Sequence, residues 1–171
     1  MGYKRFPILL SVFLLSMLIS ALTAGCGDGT WDYVALGDSY PAGLGLEKSY
    51  VDYYAEFIEQ DLGVEVEIHN FSGSGQSASV LPDHLRNDEE YRDAIQKAEV
   101  ITIWTGWNDL NVPLNSYRKE LCGGEDNLDC IREAVSDLTR DIDTILEEIL
   151  SLTSAQDTLI RIADNSIPYV N

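Results

Sequence analysis

Tyr33-Val34-Ala35-Leu36-Gly37-Asp38-Ser39-Tyr40 is the stretch from which the fold can be read. Its first four residues form a compact run without polar alternation, the pattern of a strand covered on both faces, and Gly37 ends it where the chain must turn. The pattern recurs at Val100-Ile101-Thr102-Ile103-Trp104, closed by Gly106, and Leu159-Ile160-Arg161-Ile162-Ala163 is a fourth strand candidate. Between the first two runs, Val64, Val66 and Ile68 alternate with Glu65, Glu67 and His69, the period of a half-exposed strand.

The segments between these strands read as helices. Ser49-x-x-Asp52 is a capping pattern, and it introduces Val51, Tyr54, Ala55, Ile58 and Leu62 at the spacing of one helical face, with Gly63 as the stop. A small-residue loop from Ser72 to Ser79 leads into weakly helical sequence up to about Ala98. Leu128, Ile131, Val135, Leu138, Ile142, Ile145, Ile149 and Leu152 advance in alternating steps of three and four, which predicts a long amphipathic helix with one core-facing stripe. The stretch from Asn111 to Asn127 is read as a variable loop. Strands alternating with helices imply right-handed crossovers and a parallel sheet with helices on both faces, an α/β fold. Ligands of such sheets sit at the carboxyl ends of the strands, so the chemistry is expected in the loops after Leu36, Asn70 and Trp104.

Composition narrows the function. Lys and Arg total 11 against 29 Asp and Glu, a formal net charge of −18 over 171 residues, and 45% of residues are hydrophobic. That is enough apolar mass for one domain with a real core. So acidic a surface repels phosphate backbones and anionic headgroups, so no nucleic-acid partner is expected. With two His and three Cys, and neither paired CxxC nor HExxH spacing, no metal site is expected either.

The N-terminus reads as an address. Lys4 and Arg5 precede an apolar run from Ile8 to Leu22, short for a membrane span and suited to a signal-peptide core. Leu22-Thr23-Ala24-Gly25-Cys26 resembles a bacterial lipoprotein lipobox, with Cys26 as the lipid attachment point. A plain signal peptide and an uncleaved anchor are the other readings, and all three place the rest of the chain outside the cytoplasm. The expected layout is a lipoprotein-type signal over 1–25, a tether over 26–30 and the α/β domain over 31–171. Setting Cys26 aside leaves Cys122 and Cys130 in Cys-Gly-Gly-Glu-Asp-Asn-Leu-Asp-Cys, close enough to bridge in an oxidising compartment or to remain two thiols.

Three loops carry the candidate chemistry. Gly37-Asp38-Ser39 with Gly43 and Gly45 behind it is by itself only a turn. Asn70-Phe71-Ser72-Gly73-Ser74-Gly75-Gln76-Ser77 is a glycine loop entering a helix, without the Lys-Ser/Thr of a phosphate cradle. Gly106-Trp107-Asn108-Asp109 follows a strand directly. Together, in order, spacing and strand context, they resemble the blocks of the GDSL/SGNH hydrolase superfamily over roughly residues 31–170.

That resemblance implies a flavodoxin-like three-layer α/β/α fold and a serine esterase or acylhydrolase acting on a small-molecule ester, lipid or acylated carbohydrate, without a metal or organic cofactor. It also implies the roles: Ser39 as nucleophile, the Ser39 and Gly75 N–H groups and the Asn108 amide as oxyanion donors, and Asp38 and Asp109 as residues that orient the loops. Gly75 matches the family loop better than Gly73, counting from Asn70. Trp104 is expected to pack on the strand, whereas Tyr40 and Trp107 suit either packing or a sugar or acyl surface.

The family's base is a histidine in Asp-x-x-His, which this sequence does not contain. His69 is expected to be a solvated residue on the Glu65/Glu67 face of its strand. His84, nine residues past Gly75, would lie about 13 Å further along a helix, beyond the reach of a general base. The chain is therefore expected to be the N-terminal portion of such a hydrolase, short of its last strand and helix, with an oxyanion pocket but poor turnover. A lipid-anchored module that uses the same cleft to hold an acyl or glycan ligand without chemistry is the alternative. A flavodoxin-like nucleotide binder is disfavoured because the three loops hold no Lys or Arg.

Overall fold

The computed structural model describes residues 29–163. The proposed signal at 1–25 and Cys26 lie outside the described residues. Four strands, β1 (Thr30–Gly37), β2 (Glu65–Asn70), β3 (Val100–Trp104) and β4 (Leu159–Ile162), form one sheet in the order β2-β1-β3-β4. Every pairing is parallel.

Helix α1 (Tyr50–Leu62) joins β1 to β2 and starts with the capping box of Ser49 and Asp52. It ends at Gly63, whose φ of 69° is a left-handed cap. The weakly helical region resolves into a 3₁₀ turn at Ala78–Val80, α2 (Leu81–Asn87) and α3 (Glu89–Lys97). Pro82 opens α2 and Asp88 caps α3 through the Glu90 N–H.

The sheet separates two cores. On one face Tyr33, Ala35 and Val100 pack against Val51, Ala55 and Ile58 of α1. On the other, Val34, Leu36, Ile101 and Ile103 meet Leu81, Leu85, Ile95, Ile145 and Ile149. Tyr33 through Leu36 are 0% exposed, which matches the uninterrupted apolar run that marked β1 as a central strand.

Two elements differ from the sequence reading. Residues expected to form part of a loop are α4 (Trp107–Arg118), a helix that carries Pro113 inside it. The long helix α5 (Asp129–Leu152) is where the periodicity places it, but of its stripe only Ile145 and Ile149 are buried, and Val135 is 47% exposed. Length explains this. Its 24 residues reach about 36 Å, twice the span of a five-residue strand, so the sheet cannot cover its whole stripe, and Leu138 and Ile142 are only partly buried against the core. The helix also packs against α4.

Candidate active site

β1 delivers the first loop. Gly37 has φ +148°, and a Cβ there would stand 2.0 Å from the Trp104 carbonyl oxygen, so only glycine lets β1 and β3 end side by side. The next N–H, of Asp38, donates to that same oxygen at 3.1 Å. Asp38 is fully buried, and its carboxylate accepts the Tyr40 N–H at 3.0 Å. The turn then coils on itself: Ala42 N–H donates to Asp38 O and Leu44 N–H to Ser39 O, both at 3.3 Å. This holds Ser39 half-buried at the carboxyl end of the sheet. Burial pushes the Asp38 carboxyl above the usual range, opposed by the Tyr40 N–H, reinforced by the Asp109 charge and opposed again by the Trp107 N–H.

The second loop is laid alongside the first. Phe71 N–H donates to Ala35 O and Gly73 N–H to Gly37 O, which extends the pairing with β1 past the end of β2. Asn70 donates its side-chain amide to Pro41 O at 2.8 Å and accepts the Ser72 N–H at 3.1 Å. Because the Gly73 N–H is committed to Gly37, Gly75 is the glycine of this loop that can offer its N–H outward. Gly75 is exposed, has φ +76°, and a Cβ on it would meet nothing within 4 Å. Its backbone conformation, rather than crowding by the protein, calls for glycine.

The third loop closes the set. Gly106, with φ 109°, stands before α4 and places Asn108 and Asp109 in its first turn, where the helix end favours an acid. Asn108 donates from Nδ2 to Gln76 O at 2.8 Å, and both Asp109 oxygens accept the Ala78 N–H, at 3.2 and 3.0 Å. A carboxamide nitrogen carries two hydrogens, so one Asn108 donor remains after Gln76 is satisfied. The three loops are thus stitched pairwise, and Ser39, Gly75 and Asn108 are carried on them. Gln76, the hinge between loops two and three, was not singled out in the sequence, because a main-chain acceptor leaves no residue-type signal.

An aromatic layer lies beneath the first loop. Tyr40 stacks on Trp104 with centroids 5.1 Å apart, and Tyr50 meets the same indole at 5.1 Å. Trp104 therefore packs, whereas Tyr40 remains 55% exposed. Thr102 Oγ1 joins the hydroxyls of Tyr33 (2.8 Å) and Tyr50 (3.2 Å), and burial raises both phenols above their ordinary range. A cavity of about 530 Å³ opens behind Asp109 between α4 and α5, but Ser39, Gly75 and Asn108 do not line it.

Neither histidine joins the site. His69 pairs opposite Val34, five positions before Ser39, or about 16 Å along the strand. It is half-buried and bonded through Nε2 to Asp32 at 2.6 Å, which corrects the expectation of a freely solvated ring. His84 stacks on Tyr91 at 4.8 Å and stands 3.7 Å from the Asp88 carboxylate. Cys122 and Cys130 form a disulfide with Cα atoms 4.9 Å apart, tying the connection that follows α4 to the first turn of α5.

The model of the GDSL-like lipase/acylhydrolase family matches residues 33–167. The spore germination lipase LipC of Bacillus licheniformis is 32% identical over 145 residues, which cover 82% of this chain and 66% of the relative. A lipase from a goat rumen metagenome superposes with a TM-score of 0.68 at 32% identity, over 77% of this chain and 62% of that one. An extracellular lipase of Streptomyces rimosus shares the fold, with a TM-score of 0.53 at 21% identity, over 77% and 58% of the two chains. The chain thus spans just under two thirds of the length of the relatives it matches.

Proposed function

The chain belongs to the GDSL-like lipase/acylhydrolase family, and from that premise we propose that it carries the nucleophile and oxyanion hole of a serine ester hydrolase that works through an acyl-enzyme. Ser39 Oγ attacks the ester carbonyl as its proton passes to a base. Ser39 N–H, Gly75 N–H and the second Asn108 Nδ2–H receive the developing oxyanion. Collapse of the tetrahedral intermediate expels the alcohol and leaves the acyl group on Ser39. Water then attacks that ester through the same oxyanion site and frees the acid. Asp38 and Asp109 hold the loops in register and take no part in proton transfer. The observation that carries this reading is the pairwise bonding of the three loops, above all Asn108 to Gln76 and Asp109 to Ala78.

The base in this proposal is an Asp-x-x-His segment of a longer protein, because His69 and His84 are both bonded or stacked elsewhere. The substrate is a carboxylic ester, lipid or acylated carbohydrate. The lipase relatives favour the former, and so do the exposed side chains of Tyr40, Leu44 and Leu46 just after the nucleophile. The proposed chemistry uses no metal or cofactor.

Lipidation at Cys26, the proposed membrane anchor, fits a domain entered at Thr30. That residue begins β1 at the end of the sheet opposite Ser39, about 25 Å away, so the catalytic loops of an anchored protein face away from its own bilayer. The test is hydrolysis of short-chain p-nitrophenyl esters by this chain and by a longer one supplying Asp-x-x-His. The proposal expects much the faster turnover from the longer chain and none above background when Ser39→Ala is introduced. Equal turnover by the two chains would place the base within the present sequence.

A further inference from the structure

Away from the catalytic loops, the β1–β2 edge of the sheet gathers three side chains that the ester chemistry does not use. Asp32 lies opposite Glu67 in the parallel register, and His69, two residues on, lies opposite Val34. Alternation along a strand puts all three on the same face of the sheet as Val34. One donor atom from each lies within 4.8 Å of the other two, and the His69 Nε2 to Asp32 Oδ1 distance is 2.6 Å. We propose that Asp32, Glu67 and His69 form a binding site for a divalent transition-metal cation of the zinc type, with solvent completing the coordination.

Donor chemistry supports this. One imidazole nitrogen with two carboxylate oxygens suits a borderline cation, whereas calcium asks for six or more oxygens. The placement is rigid. Both strands are fixed by their ladder, Asp32 N–H is bonded to Glu99 Oε2 at 2.7 Å, and the His69 ring lies parallel to Phe71 within 17°. Carboxylates directly opposite each other on neighbouring strands repel, and one imidazole answers at most one of them. A doubly charged ion removes that repulsion in a chain whose net charge is −18. Donor-to-metal distances near 2.0–2.2 Å require only that His69 and Asp32 part slightly while Glu67, which is exposed, swings in. The site is open to solvent because β2 is the edge of the sheet, and it would tie that edge to β1. No spacing in the sequence announces it, because the ligands come from two separate strands and only their register joins them.

The test is calorimetric titration of the chelator-stripped full chain with zinc chloride, in a Cys26→Ser background so that no free thiol competes. Melting is followed in parallel. One saturating equivalent is expected, with a rise in Tm of roughly 5–10 °C at a hundredfold excess over Kd. His69→Gln and Asp32→Asn should each weaken binding at least about tenfold. Glu67→Gln, a change at an exposed side chain that leaves folding intact, should weaken it too, while His84→Gln should not. Calcium chloride should give no saturable heat. The assignment fails if zinc does not saturate below millimolar concentration, if the three ligand variants bind like the parent, or if calcium binds and zinc does not.

Discussion

Replacing Asn108 by alanine removes two donors with different jobs, and their magnitudes separate them. One Nδ2 hydrogen bonds Gln76 O at 2.8 Å in a half-buried setting. A bond of that kind contributes about 1 kcal/mol net, and water can reach the carbonyl left behind. In a urea titration with a slope of roughly 1–3 kcal/mol per molar, that moves the midpoint by about 0.5 M. For a domain of ordinary stability, about 5–15 kcal/mol, the unfolded fraction after such a loss stays below about 1%. The other hydrogen is proposed to meet the oxyanion, and loss of such a donor costs about 2.7–4 kcal/mol at the transition state, or about 100- to 1000-fold in kcat. Unfolding therefore cannot mimic the catalytic loss.

The assay is p-nitrophenyl ester hydrolysis by parent and Asn108→Ala in the same chain background, with urea midpoints measured alongside. Expected are a kcat lower by at least about a hundredfold and a KM little changed. Asn108→Asp should be worse still, because it sets a carboxylate against both the oxyanion and the Gln76 carbonyl. A kcat loss under about tenfold, or one matched by a rise in KM alone, would refute the oxyanion role.

Three further outcomes are expected. Asp109→Ala leaves the Ala78 N–H without its charged acceptor, and urea denaturation should show a loss of about 1.5–3 kcal/mol together with reduced kcat. For Asp38 the folded pKa is raised, by burial first. The native state therefore holds its proton to higher pH than the unfolded chain, and the residue's contribution to stability falls as pH rises through the folded value. Asp38→Asn keeps an acceptor for Tyr40 without the charge, so its urea midpoint should gain on the parent between acid and neutral pH. A constant difference across that range would show that Asp38 carries no such burden. Gly75→Ala puts a Cβ at φ +76° without a steric clash. It should cost only about 1–2 kcal/mol of stability, measured by denaturation, yet lower kcat by more than that cost explains.

The elements that could be read in the sequence are those whose signal is local. β1 and β3 are uninterrupted apolar runs because helices cover both their faces, and α1 has its capping box and terminal glycine written out in Ser49, Asp52 and Gly63. Helix α4 was missed because Gly106, Pro113 and several asparagines speak for a loop. Trp107, Leu110, Leu114 and Tyr117 do keep a three-four-three spacing that points to a helical face. For the candidate site, the order and spacing of the three loops carry the family resemblance, and that resemblance points to Ser39, Gly75 and Asn108. The acceptors that position them, the carbonyls of Gly37, Gln76 and Trp104, were invisible because every residue has one. His69 was misjudged for a related reason: its partner Asp32 belongs to another strand, and only the register brings them together.

The most direct measurement is a structure of the longer chain after reaction with a p-nitrophenyl alkylphosphonate, which mimics the tetrahedral intermediate. The phosphorus should be bonded to Ser39 Oγ, with its anionic oxygen about 2.7–3.1 Å from the N–H groups of Ser39 and Gly75 and from Asn108 Nδ2. An adduct on another residue, or an oxygen turned away from Gly75 and Asn108, would contradict the assignment of the site.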